Sequence, residues 1–418
     1  MILKRIQNKL TRESNKYILL FDCLLRAGFK SAIYLDSEQK AFIKGDWTLF
    51  KSCFEQRVIN ISFKKKSNNF SKAFFYIIED SNSYEDIVLF LKKEENEIRT
   101  NDLESLYKYC KYFNDLRIAI FLRKVLIRRA VAKQKKSLFV TKRGINAALE
   151  SHQYKLAKYF LNKKIRFFGK EYFNYANQIL DNFLKCGLYE NSSKNLNFHN
   201  YVSGKTIAIV GPGLPNDKPG KEIDLHDIVI RTNYRDKSNT PFDKFGKRTD
   251  VSYFNHQRVG DFLDEVIKST SEINWTILKN ESAKNILDEA IMNDFSYNSR
   301  SMLILNDLFF LDSQPMSIQN IVADILSFKP RRVKLFCVNF YNSKKNYSTN
   351  YKNNISIDLS SQLKDLRIHD PFANFSFIKG CFINNLIEVD ELTRNTLELT
   401  DEEYAESLNN IFGSKGLS

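Results

Sequence analysis

Thr206-Ile-Ala-Ile-Val210 runs directly into Gly211-Pro-Gly213. A short run rich in β-branched residues that ends in glycine and proline reads as a buried strand closing in a tight turn. Similar runs follow at residues 228–230, 251–254, 275–278, 302–305 and 333–338, and residues 317–328 between the last two have helical period. Strands alternating with helices predict an α/β fold: a Rossmann-like, mostly parallel sheet with helices on both faces, over residues 201–418. Ligands of such sheets bind beyond the carboxyl ends of the strands. The loop Gly211, Pro212, Gly213, Leu214 is therefore the first place to look for a site.

Outward from that strand the texture changes. Residues 191–200, rich in Asn and Ser, read as a linker. Residues 103–188 contain no proline, and their apolar residues recur at three and four, so 101–200 reads as a largely helical region. Residues 1–100 read as a mixed α/β segment, with short apolar runs at AIYLD, TLFKSCF, VINISFKKK and DIVLFLKK and a buried strand at AFFYIIED, residues 73–80. Charge follows the same division. Residues 1–200 hold 38 Lys and Arg against 20 Asp and Glu, whereas the rest hold 26 against 29. A basic run, Arg123, Lys124, Arg128, Arg129, Lys133, Lys135, Lys136, Lys142 and Arg143, reads either as a solvated helix face or as a surface for an anionic membrane or glycan. No nucleic-acid motif accompanies it.

Several classes are excluded or disfavoured. No apolar stretch approaches a membrane span, and the N-terminus lacks the apolar core of a signal peptide, which predicts a cytoplasmic protein, peripheral at most on the inner face of the membrane. Six scattered cysteines form no CxxC pair, and the five histidines do not join them at zinc spacing. No metal and no cofactor are expected.

The most specific stretch is residues 220–250. Gly220, Ile223, Asp224, His226, Asp227, Val229, Arg231 and Asn233, followed by Gly246, Arg248 and Thr249, stand in the order of the large motif of the sialyltransferases of glycosyltransferase family 29. Gln314-Pro-Met-Ser-Ile-Gln319 before a helix, then the strand Val333 to Phe340, resembles that family's small motif. Arg367-Ile-His-Asp-Pro371 resembles the His-Asp-Pro found before the last helices of bacterial members. The resemblance covers about residues 203–412. It departs at Pro212, where the family has Asn, at Met316, and at Asn339, where the family has Gly. The disulfide that joins the two motifs in eukaryotic relatives is absent, for no cysteine lies between 186 and 337.

The resemblance implies a CMP-activated sugar acid, Kdo or sialic acid, as donor, and a bacterial surface glycan or lipid-linked oligosaccharide as acceptor. In that role the backbone of 211–214 meets the phosphate, Asn233 a ribose or base edge, and Ser317 the donor carboxylate, with Arg231 among the binding residues. His369 acts on the acceptor hydroxyl or the leaving phosphate. The related β-Kdo transferases are reported to use an Asp nucleophile, which puts Asp224 with His256 forward for a retaining reaction. Each residue also has a plain structural role open to it. Asn233 ends a strand, Ser317 caps a helix, His226 and Asp224 order a turn, and His369 orients the Asp-Pro turn. The competing function is a non-catalytic protein that binds polyanions or membranes through a degenerate domain of this type.

Overall fold

Among the described residues, seven short strands, all parallel, form one sheet in the C-terminal part of the chain. The structure is a computed structural model, and it describes residues 52, 68–78, 83–112, 115–132, 138–163, 170–184, 196–234, 241–291, 297–302, 308–311, 315–343, 366 and 369–412. The chain divides into two compact units, residues 1–109 and 110–418.

In the first unit, α1 (Asn68–Ile78), α2 (Tyr84–Glu94) and most of α3 (Thr100–Tyr112) are described. Residues 73–78, expected as a buried strand, are helical. Ala73 and Phe74 are both buried, and Phe74 meets Tyr109 edge-on at 5.1 Å. The AIYLD, TLFKSCF and VINISFKKK segments lie outside the described residues. A capping box starts α2: Ser83 Oγ accepts from Asp86 N at 3.2 Å, and the Asp86 carboxylate accepts from Ser83 N at 3.3 Å.

The second unit begins with the helical hairpins α4 (Leu116–Ala132), α5 (Leu138–Glu150), α6 (Tyr154–Lys163) and α7 (Lys170–Leu184), followed by α8 (Leu196–Val202). The expected linker thus contains a helix. Phe198 of α8 is wholly buried against Trp275 and Phe328, at 4.9 and 5.0 Å. The expected division at residue 200 is likewise not where the contacts divide, because α4 and α5 pack on the C-terminal helices described next.

The strands are β1 (Thr206–Val210), β2 (Ile228–Thr232), β3 (Val251–Phe254), β4 (Trp275–Leu278), β5 (Ser299–Ser301), β6 (Arg332–Phe336) and β7 (Glu388–Val389), in the order β5-β4-β3-β2-β1-β6-β7. β1 lies inside the sheet between β2 and β6, and its register, Ala208 with Val229 and with Lys334, fixes which side chains share a face. Ala208, Val210, Val229 and Phe336 form one face, covered by Ile223 of α9 (Gly220–Asp224) and Phe245 of α10 (Phe242–Phe245). Farther along it, Phe254 and Leu278 are covered by α11 (His256–Asp261), α12 (Leu263–Thr270) and α13 (Glu281–Ile291). The opposite face carries Ile207, Ile209, Ile230 and Tyr253 beneath α14 (Ser317–Leu326), whose Asp324 accepts from Tyr253 Oη at 2.6 Å and pairs with Arg300. Each such aliphatic side chain, fully buried, contributes about 1.5–3 kcal/mol. Both faces are dry, which is why the strands read as unbroken apolar runs.

α15 (Pro371–Ile383), α16 (Glu391–Leu397) and α17 (Asp401–Phe412) complete the unit, and α17 packs along α4. No described helix is long and apolar enough to cross a membrane.

Candidate functional site

In a parallel sheet, residues that follow a strand lie at its carboxyl edge and residues that precede one lie at its amino edge. This divides the candidate residues into two groups. Connections leave β1 for β2 on one side and reach β6 from the other, so the topological switch point falls between β1 and β6.

At the carboxyl edge the loop after β1 packs backbone to backbone on the loop after β6. Gly211 N donates to Phe336 O and Gly213 N to Cys337 O, both at 2.8 Å. A Cβ on Gly211 would stand 2.6 Å from Cys337 O, and one on Gly213 would stand 2.7 Å from it. Close approach of two protein strands therefore requires these glycines. It also spends the two N–H groups expected to meet a phosphate. Pro212 and Pro215 have none, so within residues 211–215 Leu214 N is the amide with no described partner.

The β6 loop is fixed from the far side. Asp390, the N-cap of α16, accepts from Cys337 N at 2.8 Å and Thr393 N at 3.0 Å, and burial pushes its carboxyl above the ordinary value. Burial likewise raises the Cys337 thiol well above its usual range, so it packs as a neutral group. Cys337, Phe340 and Tyr341 hold φ of 59°, 50° and 64°, and Asn233 at the end of β2 holds 48°. Bulky residues in this region cost of order 1–3 kcal/mol each, and such strain gathers at functional sites.

Asn233 Oδ1 accepts from Asn255 N at 3.1 Å, tying the ends of β2 and β3 together. His256 follows as the first residue of α11; its side chain lies outside the described residues. Helices returning to the amino edge start at the carboxyl edge, so α14 and α15 both open there. Ser317 is the first residue of α14, after an N-cap, Met316, that makes no side-chain cap. Met316 N donates to Asn374 Oδ1 at 2.9 Å, and Gln319 Nε2 donates to Asn374 O at 3.3 Å, so the two helix starts are cross-linked. His369 is half-buried and immediately precedes Asp370, the N-cap of α15.

Asp370 is anchored from the helical hairpins. Its Oδ1 accepts from Phe372 N and Ala373 N at 3.0 and 3.2 Å. Its Oδ2 accepts from Arg123 Nη1 at 2.5 Å, and Arg123 grips Glu150 through Nε and Nη2 at 2.5 and 2.7 Å. Arg123 and Asp370 are each 1 % exposed. Arg123 is thus no part of a cationic surface, and Lys124 is paired with Asp401 and Glu402. Lys133, Lys135 and Lys136 lie outside the described residues.

The amino edge holds most of the 220–250 motif. The Asp224 carboxylate accepts from Lys247 N at 2.8 Å and Arg248 N at 3.0 Å. Arg248 spans the carbonyls of Asp224, His226 and Asp227 at 3.0, 2.6 and 2.9 Å. His226 Nδ1 lies 3.0 Å from Glu222 O, with its ring edge-on to Phe336. Arg231 reaches back to Thr249 Oγ1 at 2.9 Å and to Phe245 O; burial lowers its guanidinium to about 10, which leaves it charged at neutral pH. These residues staple the turns before β2 and β3. By chain direction, residues 211–214, Asn233, His256, Ser317 and His369 fall at the carboxyl edge, whereas Asp224 lies at the amino edge and the Arg231 guanidinium is held by the turn before β3.

Comparison with known proteins finds no family model that matches the chain and no curated protein that matches it.

Proposed function

We propose that the carboxyl edge beside β1 and β6 is the donor site of a glycosyltransferase that moves a 2-keto-3-deoxy sugar acid, Kdo or sialic acid, from its CMP-activated form to a bacterial surface glycan or lipid-linked oligosaccharide. One observation carries the reading. Two helix starts, α14 and α15, open at that edge and are locked together by Asn374. α14, which has no side-chain cap, presents the positive end of its dipole, which suits an anionic group of such a donor, whereas the first amides of α15 are taken by Asp370. The order of the family 29 motif residues supports the same donor class.

In this reading Ser317 and the first turn of α14 hold the sugar carboxylate, Asn233 holds the ribose or base, and Leu214 N is the amide of residues 211–214 left for the phosphate. The acceptor oxygen bonds to the anomeric carbon as the bond from that carbon to the phosphate oxygen breaks. CMP leaves with the electron pair, and the hydroxyl proton passes to His369. Asp224, engaged by two backbone amides at the opposite edge, does not suit a nucleophile, so a single inverting displacement is the form proposed.

The non-catalytic alternative draws on the Gly211 and Gly213 amides, which are already spent inside the protein. The experiment is a thermal-shift titration with CMP and UDP, followed by CMP release from CMP-Kdo and from CMP-sialic acid. Stabilisation by CMP and not UDP, with release from one donor, is expected. Equal stabilisation by UDP, or no release from either donor, refutes the proposal.

A further inference from the structure

Two cations stand just past the ends of neighbouring strands, and one of them keeps buried donors without an acceptor among the described residues. Arg258, third residue of α11, is 4 % exposed. Its Nη2 pairs with Glu265, and its guanidinium lies over the Phe262 ring, 4.3 Å from the centroid. Its Nε and Nη1 are buried and meet no acceptor among the described residues. Lys279 follows β4. Its N–H donates to Phe254 O at 3.0 Å, which sets it beside Asn255, whose Oδ1 accepts from Arg258 N at 2.6 Å. Burial alone lowers the Lys279 ammonium from its ordinary value, with no carboxylate acting against it.

Buried donors in native proteins are almost always satisfied, and buried charges are paired. The two unmet donors of Arg258, with the half-buried Lys279 just past the adjacent strand, therefore point to an acceptor supplied from outside. Two groups that touch the Arg258 guanidinium, Phe262 at 43 % exposed and Glu265 at 48 % exposed, reach solvent.

We propose that Arg258 and Lys279 form a subsite for an oxyanion, a phosphate or carboxylate group of a ligand, at the carboxyl ends of β3 and β4. The oxyanion displaces Glu265 from Nη2 and takes up the orphaned donors. β3 and β4 stand two and three strands from β1, about 10–15 Å at ordinary strand spacing, so the group held here is not the one at the β1–β6 crevice. The inference rests on the carboxyl edge being the ligand face, and it does not require that the nucleotide be CMP.

The test is calorimetric titration of the full chain with sodium phosphate and, separately, sodium acetate at fixed ionic strength, using wild type, Arg258→Gln, Lys279→Met and the double variant. CMP is titrated into all four. One anion binding more tightly than the other identifies the oxyanion class. Each single variant is expected to weaken that anion about tenfold or more, the range for a lost charge-assisted hydrogen bond, with CMP affinity unchanged. Lys279→Met is also expected to raise the melting temperature, because it removes an uncompensated charge. If Arg258→Gln fails to fold, Lys279→Met carries the test. Equal anion binding by wild type and Lys279→Met, or no binding to wild type at tens of millimolar, overturns the proposal. Loss of CMP binding in wild type overturns the nucleotide reading alone.

Discussion

Arg123→Met removes the cation from a site that keeps two carboxylates. Arg123 makes three charged hydrogen bonds of 2.5–2.7 Å, two to Glu150 and one to Asp370. Breaking one side of a buried ion cluster typically costs about 3–5 kcal/mol, because the remaining charges stay buried without a counter-ion. At about 2–4 °C per kcal/mol for a body of this size, the melting temperature falls by of the order of 10 °C. Lys124→Met, one residue along, breaks pairs whose lysine is 40 % exposed and should cost less than about 1 kcal/mol. The loss in Arg123→Met should also depend on pH. Burial, the largest influence, already holds the Glu150 carboxyl above its ordinary value, Arg123 pulls it down, and Asp370 raises it. A raised carboxyl value means that the folded state keeps its proton to higher pH than the unfolded chain, so stability falls as pH rises through the elevated value. Without Arg123 that value rises further, and the deficit should shrink as pH falls from 7 towards about 5. The assay is thermal unfolding of wild type and both variants across this pH range. Equal loss in Arg123→Met and Lys124→Met, or a deficit that widens towards acid, refutes the buried-cluster account.

Asp224→Asn should lower the melting temperature by a few degrees through one poorly matched amide, at a cost of about 1–3 kcal/mol, and leave residual CMP release; abolished release at an unchanged melting temperature would restore the nucleophile. His369→Ala should cut turnover by roughly a hundredfold or more while circular dichroism stays native, and full activity would refute its role as base. Gly213→Ala should destabilise the chain and weaken CMP together, since the new Cβ meets the Cys337 carbonyl at 2.7 Å, and a neutral effect in both thermal-shift and calorimetric measurements would show that the two loops part freely.

The sheet was legible because a strand dry on both faces leaves a short, unmixed apolar run. Residues 206–210, 251–254 and 275–278 stand where the runs placed them. Of the strand expected at 302–305, residues 303–305 lie outside the described residues; β5 at Ser299–Ser301 is short and polar, so no apolar run marked it. AFFYIIED misled because clustered aromatics satisfy a helix as well as a strand, and Ala73 beside Phe74 is the pair a helix buries. Motif order alone did not show which edge of the sheet each of residues 220–250 occupies. The direction of the chain did: Asp224 precedes β2 and Asn233 follows it, which in a parallel sheet sets them on opposite edges. The Arg123 cluster left no trace in spacing, since its partners lie 27 and 247 residues away and its neighbours read as a solvated basic face.

Placing β1 inside the sheet, between β2 and β6, has a consequence for synthesis. Thr206 pairs with Arg332, so one flank of β1 waits for residues made more than a hundred positions later. At ordinary elongation rates that wait is of the order of ten seconds, during which Ile207 and Ile209 border an open edge. Pairings of such long range also close slowly once the chain is complete. The nascent chain is therefore most vulnerable to strand-mediated aggregation between the emergence of β1 and that of β6, and a chaperone that binds short apolar strands would act in that interval.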